Sequence, residues 1–130
     1  WITPINWHLS ADEIAYVENA TRAWDMAFYS IPFKAGDRIL TAEAEYASNY
    51  IAFLQVARRD GAVVETVPSD ALGQLDTTSL ERMIDGRVKL IAVTHVPTNG
   101  GLVNPAEASS ATGHPGTRST TSVSGPGQKW

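Results

Sequence analysis

The feature that most constrains this chain is an alternation of short apolar runs with segments of helical periodicity. The apolar run Val88–Val93 predicts a buried strand, and shorter runs at Arg38–Thr41 and Ala62–Val67 predict two more. A weakly alternating run at Glu13–Val17 predicts a short first strand. The resulting order, in which helices alternate with four strands, predicts an α/β fold with a parallel sheet and crossover helices.

The helices are expected between these strands, where apolar residues recur at helical spacing. The first would run from Arg22 to Ser30, with its cap supplied by Asn19–Thr21. Ser48 is expected to cap the second helix, which would end at Gly61. Asp76 or Thr78 is expected to cap the third, which would end at Gly86. The predicted buried faces are Trp24, Ala27, Phe28 and Ile31 in the first helix, Tyr50, Ile51, Leu54 and Ala57 in the second, and Leu80, Met83 and Ile84 in the third.

The character of the sequence changes after Glu107. The segment Ser109–Gly127 is rich in Ser, Thr, Gly and Pro, and its only apolar residues are Ala111 and Val123. Such a segment buries too little apolar surface to offset the entropy cost of ordering it. The sequence therefore predicts an ordered domain over residues 1–107 and a disordered tail over residues 108–130.

Composition excludes several classes of function. The net charge of −4 argues against a nucleic-acid partner, because phosphate binding needs a basic face. The absence of cysteine excludes disulfides, thiolate metal ligands and a thiol nucleophile within this chain. The three histidines show no metal-ligand spacing, and no apolar run approaches the roughly 18 residues that cross a bilayer. We expect a cytoplasmic protein with neither a membrane nor a nucleic acid as partner.

Three loops at strand–helix junctions form the candidate site, because open α/β sheets bind ligands beyond the carboxyl ends of their strands. Asn19–Thr21 starts a helix whose free N–H groups can hold a phosphate, or it is an ordinary helix cap. Tyr46 can stack on a flat aromatic ligand, or it is a partly buried loop tyrosine. Thr98 can hydrogen-bond a ligand beyond the last predicted strand, or its glycine-rich loop is simply a tight turn.

Together these loops resemble the large domain of class V aminotransferases, which are pyridoxal-phosphate enzymes of fold type I. Cysteine desulfurases and isopenicillin-N-epimerase-like proteins belong to the same group. The resemblance covers about Ser10 to Glu107, and the order and spacing of its motifs are more specific than any one of them. Those motifs are Glu18–Ala23, Ala35–Leu40, Glu45–Asn49 and Thr94–Pro105.

The resemblance implies a role for each loop and a class of reaction. Ala20 and Thr21 match the loop that holds the phosphate of pyridoxal phosphate, and Tyr46 matches the residue that stacks on its pyridine ring. Thr98 matches a residue close to the ring oxygen of the cofactor. The implied substrate is an amino acid, and transamination, C–S cleavage and epimerisation all remain open as reactions.

Two further family residues would follow the matching segment. The resemblance implies an Asp that pairs with the pyridine nitrogen and a Lys that forms a Schiff base with the cofactor. The tail at 108–130 contains no Asp, and its one lysine, Lys129, lies in a context that matches nothing in the family. We therefore expect a truncated large domain without catalytic residues, without catalysis and with weak cofactor affinity.

A second interpretation is a non-catalytic α/β module that associates with a partner chain, such as another copy of itself. If the later strands of the family are missing, Glu13–Val17 lacks partners and Val88–Val93 exposes an apolar edge. This predicts marginal stability and association through the exposed sheet edge. A flavodoxin-like nucleotide binder also fits the order of elements, but the chain lacks a glycine-rich phosphate loop.

Overall fold

A computed structural model of the chain describes residues 16–97, 101–105 and 118–122. Over residues 20–94 helices and strands alternate, as the sequence predicts. The elements are α1 (Ala20–Tyr29), β1 (Arg38–Ala42), α2 (Ala47–Asp60), β2 (Val63–Val67), α3 (Thr77–Met83), β3 (Val88–Thr94) and β4 (Arg118–Ser122). The predicted first strand falls mostly on residues 13–15, outside the described residues; Tyr16 and Val17, which are described, lie in no strand.

The strands form one parallel sheet in the order β2-β1-β3-β4. β1 pairs along its whole length with β2, from Arg38 opposite Val63 to Ala42 opposite Val67, and β3 lies on its other side. Because β2 and β3 flank β1, the crossovers through α2 and α3 run in opposite directions across the sheet. These helices cover opposite faces, so both crossovers have the same hand, as right-handed connections require.

Two apolar cores lie between the sheet and its helices. Successive strand residues point to opposite faces, so Ile39 enters one core and Leu40 the other. Phe28 of α1 and Phe53 of α2 pack on the first face, with ring centroids 5.4 Å apart. Leu80 of α3 packs on the second face. Helices on both faces give the predicted partial three-layer α/β fold and explain why β3 is almost continuously apolar.

The buried face predicted for α2 is wrong. Tyr50, Ile51 and Leu54 are 36%, 56% and 51% exposed, whereas the buried residues are Asn49, Ala52, Phe53 and Val56. The expectation that the largest apolar side chains face inward fails because the buried stripe includes Asn49, whose amide has a hydrogen-bond partner beneath the helix. A buried polar residue with a partner costs far less than one without.

The ends of the helices follow local capping chemistry, with three departures from expectation. α1 begins at Ala20 rather than Arg22, because the Asn19 side chain accepts the Arg22 N–H. α2 begins at Ala47, so Ser48 does not cap it. Asp76 caps α3, which ends at Met83 rather than at the glycine that follows. α2 does end at a glycine as expected, since Gly61 takes the left-handed conformation at φ 76°.

The amino end of the sheet is closed by Arg38, the first residue of β1, which is 9% exposed. Its guanidinium pairs with Glu65 of β2 and with Asp85 at 3.1 Å, and it donates to the Met83 carbonyl at 2.6 Å. The hydrogen bond to Glu65 is the main cause that raises the pKa of Arg38. The Arg87 side chain is the main cause that lowers the pKa of Asp85 to about 2.

Within the segment for which the sequence predicts a disordered tail, residues 118–122 form β4. β4 pairs in parallel with β3, from Arg118 opposite Leu90 to Ser122 opposite Thr94. It gives the backbone groups of β3 partners on the side away from β1, so the open apolar edge expected for this strand is not present. Residues 106–117 and 123–130, including the predicted domain boundary, lie outside the described residues.

Candidate functional site

The candidate site lies at the carboxyl edge of the sheet, where β1 and β3 end and α2 begins. α1 leads into the amino end of β1, and there the Gly36 N–H donates to the carbonyl of Gly61, at the end of α2. α1 therefore runs toward the amino edge, and its start is directed toward the same edge as the start of α2. This orientation is the one in which the starts of α1 and α2 could serve one site beyond the carboxyl ends of the strands.

The start of α1 has the chemistry of an anion site. The Asn19 Oδ1 accepts the Arg22 N–H at 2.8 Å, and the Asn19 carbonyl accepts the Ala23 N–H. The N–H groups of Ala20 and Thr21 belong to the first turn and have no acceptor within the helix. Both residues are exposed, so these N–H groups and the Thr21 hydroxyl are accessible to a ligand.

Tyr46 is the residue immediately before α2. Its backbone is extended, at φ −64° and ψ 136°, and its side chain makes no capping hydrogen bond. The ring is half-buried, and the Tyr46 N–H donates to Oε1 of Glu45 at 2.8 Å. The aromatic side chain is therefore carried on a backbone that the neighbouring carboxylate holds in place.

Glu45 is the centre of a polar cluster under this edge. Its Oε1 accepts hydrogen bonds from the Thr94 hydroxyl at 2.6 Å and the Asn49 amide at 3.0 Å, besides the Tyr46 N–H. Its Oε2 lies 3.4 Å from the Thr41 hydroxyl. Thr41 and Thr94 are fully buried and Asn49 is 6% exposed. The cluster joins the ends of β1 and β3 to the first turn of α2.

Asn104 forms a second clamp, between the end of β3 and the loop before α3. The side chain is 1% exposed, accepts the Leu75 N–H at 3.0 Å and donates to the Thr94 carbonyl at 2.7 Å. The Asn104 backbone adds an N–H bond to the His95 carbonyl, and its own carbonyl lies 2.9 Å from Nδ1 of His95. His95 is thus held through both its carbonyl and its ring.

The structure describes three of the four predicted site residues. Ala20, Thr21 and Tyr46 lie in the described part of the chain, at the starts of α1 and α2. Thr98 lies outside the described residues. Convergence of all four on one pocket stays a prediction. Within the described ranges, no group of three or more His, Asp or Glu residues is placed to hold a metal ion.

Sequence reasoning missed the residues that organise this edge, which are Glu45, Asn49, Thr94 and Asn104. One signal was available for Glu45 and Asn49, because a carboxylate and an amide four residues apart can meet at the start of a helix. Thr94 and Asn104 gave no comparable signal. Their partners lie 49 residues away at Glu45 and 29 residues away at Leu75.

Comparison with known proteins identifies the family. The sequence profile described as aminotransferase class-V matches residues 6–117, which is most of the chain. The chain belongs to the class-V aminotransferase family. The match extends ten residues beyond Glu107, where the resemblance recognised in the sequence ends.

Curated members of the family with similar sequences are cysteine desulfurases. A probable cysteine desulfurase from Synechocystis sp. is 37% identical over 101 residues, which are 75% of this chain and 24% of the relative. A probable cysteine desulfurase from Pyrococcus abyssi is 33% identical over 98 residues, 74% of this chain and 24% of the relative. The chain thus spans about a quarter of the length of these relatives.

Solved structures share the fold. The cysteine desulfurase of Thermococcus onnurineus superimposes with a TM-score of 0.66 at 27% identity, over 72% of this chain and 24% of that one. The desulfurase CsdA of Escherichia coli gives a TM-score of 0.69 at 21% identity, over 78% and 27%. A C-DES mutant with glycine covalently linked to its pyridoxal-phosphate cofactor gives 0.69 at 20% identity, over 82% and 29%.

The described residues fit the phosphate and ring of pyridoxal phosphate. The first turn of α1 offers N–H groups without intrahelical acceptors, together with the Thr21 hydroxyl, as a dianionic phosphate requires. The half-buried ring of Tyr46 stands at the start of α2, at the same edge. Members of this family use this cofactor, as the C-DES complex illustrates.

Proposed function

We propose that this chain supplies the phosphate-binding and ring-stacking part of a pyridoxal-phosphate site for chemistry on an amino acid, in the manner of a cysteine desulfurase. One observation carries the proposal. The first turn of α1 is exposed, and the half-buried Tyr46 immediately precedes α2. Both helices start toward the same edge of the sheet. The similarity to cysteine desulfurases supports C–S cleavage as the reaction within the family.

Each residue has a separate task in this proposal. Ala20 and Thr21 bind the phosphate through their N–H groups and the Thr21 hydroxyl, helped by the positive end of the helix dipole. Tyr46 covers one face of the ring and excludes water from it. Thr98 is expected near the ring oxygen only from the resemblance to the family. The cofactor, when bound, supplies the electron sink for the reaction, while these residues bind and orient it.

The test is binding of pyridoxine phosphate, which has the ring and phosphate of the cofactor but no aldehyde. Calorimetry with the full chain is expected to show binding that depends on the phosphate. The affinity for pyridoxine, which lacks the phosphate, should therefore be lower by about tenfold or more. Equal affinities for the two compounds, or no binding of either, would refute the proposal.

Matched variants separate the two contacts. Thr21→Val should weaken pyridoxine phosphate binding about fivefold, because one hydroxyl donor is lost. Thr78→Val is its control, since Thr78 is also the second residue of an exposed helix start. Tyr46→Leu should weaken binding similarly, because the ring loses its aromatic neighbour. Tyr50→Leu, one turn further along α2, should have no effect.

We also propose that the chain associates with a second copy, since the exposed apolar residues on its helices include Met26, Ile51 and Leu54, at 58%, 56% and 51% exposure. The edge of β3, by contrast, is flanked on both sides and offers no such surface. Sedimentation velocity measures the association. Leu54→Glu should shift the chain toward monomer, and Leu72→Glu, on an exposed loop, should not.

A further inference from the structure

We infer that Glu45 is a positioning residue, which holds the Tyr46 backbone so that the ring of Tyr46 is set against the cofactor. This inference rests on the proposed function and extends it to a residue to which that function assigns no contact with the cofactor. Glu45 lies between the last residues of β1 and the start of α2, so it can transmit the position of the sheet to the helix start.

Three hydrogen-bond donors meet on one carboxylate oxygen of Glu45. Oε1 of Glu45 accepts from the Tyr46 N–H, the Asn49 amide and the Thr94 hydroxyl at 2.8, 3.0 and 2.6 Å. These donors come from the residue before α2, from its first turn and from the end of β3. A single carboxylate oxygen therefore fixes the distance between the helix start and the neighbouring strand.

The residue immediately before α2, Tyr46, is unusual for that position. The position before a helix usually holds Ser, Thr, Asp or Asn, whose side chain caps the first N–H groups. Tyr46 cannot do this, and its side chain forms no cap. The tyrosine gives no capping benefit at this position, which favours a role for its ring outside the helix. The anchoring of the local backbone then falls to Glu45.

The surroundings of the Glu45 carboxylate also favour a positioning role. Among the described residues, no Lys, Arg or His forms an ion pair with Glu45, and all of its hydrogen-bond donors are neutral groups. Thr41 and Thr94 are fully buried, so their positions are fixed by the two central strands. Hydrogen bonds to rigid neighbours fix an orientation, which is what a positioning residue requires.

The experiment compares Glu45→Ala and Glu45→Gln with Glu43→Ala as control. Glu43 is an exposed carboxylate two residues earlier, whose partner is the Ser69 hydroxyl. Glu45→Ala should weaken the binding of pyridoxine phosphate about tenfold, which is the factor expected for about one lost hydrogen bond. The affinity for inorganic phosphate should stay unchanged. Glu45→Gln keeps an accepting oxygen and should recover most of the affinity, while Glu43→Ala should match the parent chain.

A second readout needs no ligand. Hydrogen exchange of the Tyr46 amide should accelerate in Glu45→Ala, while amides in the buried third turn of α2, such as that of Val56, should exchange as in the parent chain. If the Tyr46 amide is unaffected, or if phosphate affinity falls as much as pyridoxine phosphate affinity, the positioning role is wrong. If the parent chain itself binds no pyridoxine phosphate, the proposed function fails, and exchange alone then decides whether Glu45 holds Tyr46.

Discussion

The two ends of β1 both bury polar side chains, but they do so in different ways. At the amino end, Arg38 meets the opposite charges of Glu65 and Asp85 and donates to a carbonyl. At the carboxyl end, the donors to Glu45 within the described part of the chain are all neutral, and Thr94 among them is fully buried. The amino end is thus closed by its own ion pairs, whereas the carboxyl end keeps a carboxylate that organises a helix start.

This difference separates a purely structural cluster from one that can support the proposed site. Opposite charges at one place satisfy each other and leave nothing for a ligand, so the Arg38 cluster serves to join β1, β2 and the end of α3. A carboxylate held by hydroxyl and amide groups fixes geometry without neutralising charge. Sheets of this class bind ligands at the carboxyl edge, and the second arrangement is found there.

The largest effect is expected from breaking the amino-end cluster. Arg38→Met leaves Glu65, Asp85 and the Met83 carbonyl without their shared donor, and should lower the free energy of unfolding by about 3 kcal/mol. Urea denaturation measures it. Arg59→Met is the control: Arg59 is exposed and pairs with the adjacent Asp60, so its loss should be much smaller. Equal losses would show that burial does not distinguish the two arginines.

A smaller effect is expected at the carboxyl end. Asn104→Ala removes two buried hydrogen bonds, to the Leu75 N–H and the Thr94 carbonyl, and should cost about 2 kcal/mol in urea denaturation. Gln55→Ala is the matched amide control, because its bond to the Tyr29 hydroxyl is exposed and should be worth about 0.5 kcal/mol. A loss at Asn104 no larger than that at Gln55 would mean that the clamp does not hold this edge together.

The smallest effect appears only in acid and concerns the amino end. The pKa of Asp85 is about 2 in the folded chain, below its ordinary 3.8, chiefly because the Arg87 side chain donates to it. Its charged form therefore stabilises the fold above about pH 4, and this contribution is lost as the pH falls toward 2. The free energy of unfolding of Asp85→Asn should fall less steeply over this range. Arg87→Met should give an intermediate slope, and unchanged slopes would refute the linkage.

Much of the fold could be predicted from the sequence because its signals are local. β3 is a continuous apolar run, and the end of α2 is marked by Gly61 in the left-handed conformation. Both can be recognised without knowing what they contact. The buried face of α2 could not be predicted, since Asn49 faces inward because Glu45 accepts a hydrogen bond from its amide.

The site shows the same division. Ala20, Thr21 and Tyr46 follow from loop positions and from the resemblance to the family, because both depend on the order of motifs along the chain. The residues under the site depend on contacts between distant segments. The Glu45–Thr94 bond requires β1 and β3 to be neighbours, which the order of elements along the chain does not specify. Strand pairing was likewise missed for β4, because its sequence has no apolar pattern.

The strand order also sets a sequence of events during synthesis. β1 and β2 are neighbours in the chain and in the sheet, but β3 pairs with β1 across more than 40 intervening residues. Its other side is covered only once residues 118–122 have left the ribosome. Until then the most apolar strand has one side open to other chains, and at about 5–20 residues per second this interval lasts for about 1–5 s. Chaperone demand during translation should therefore peak between the emergence of β3 and that of β4.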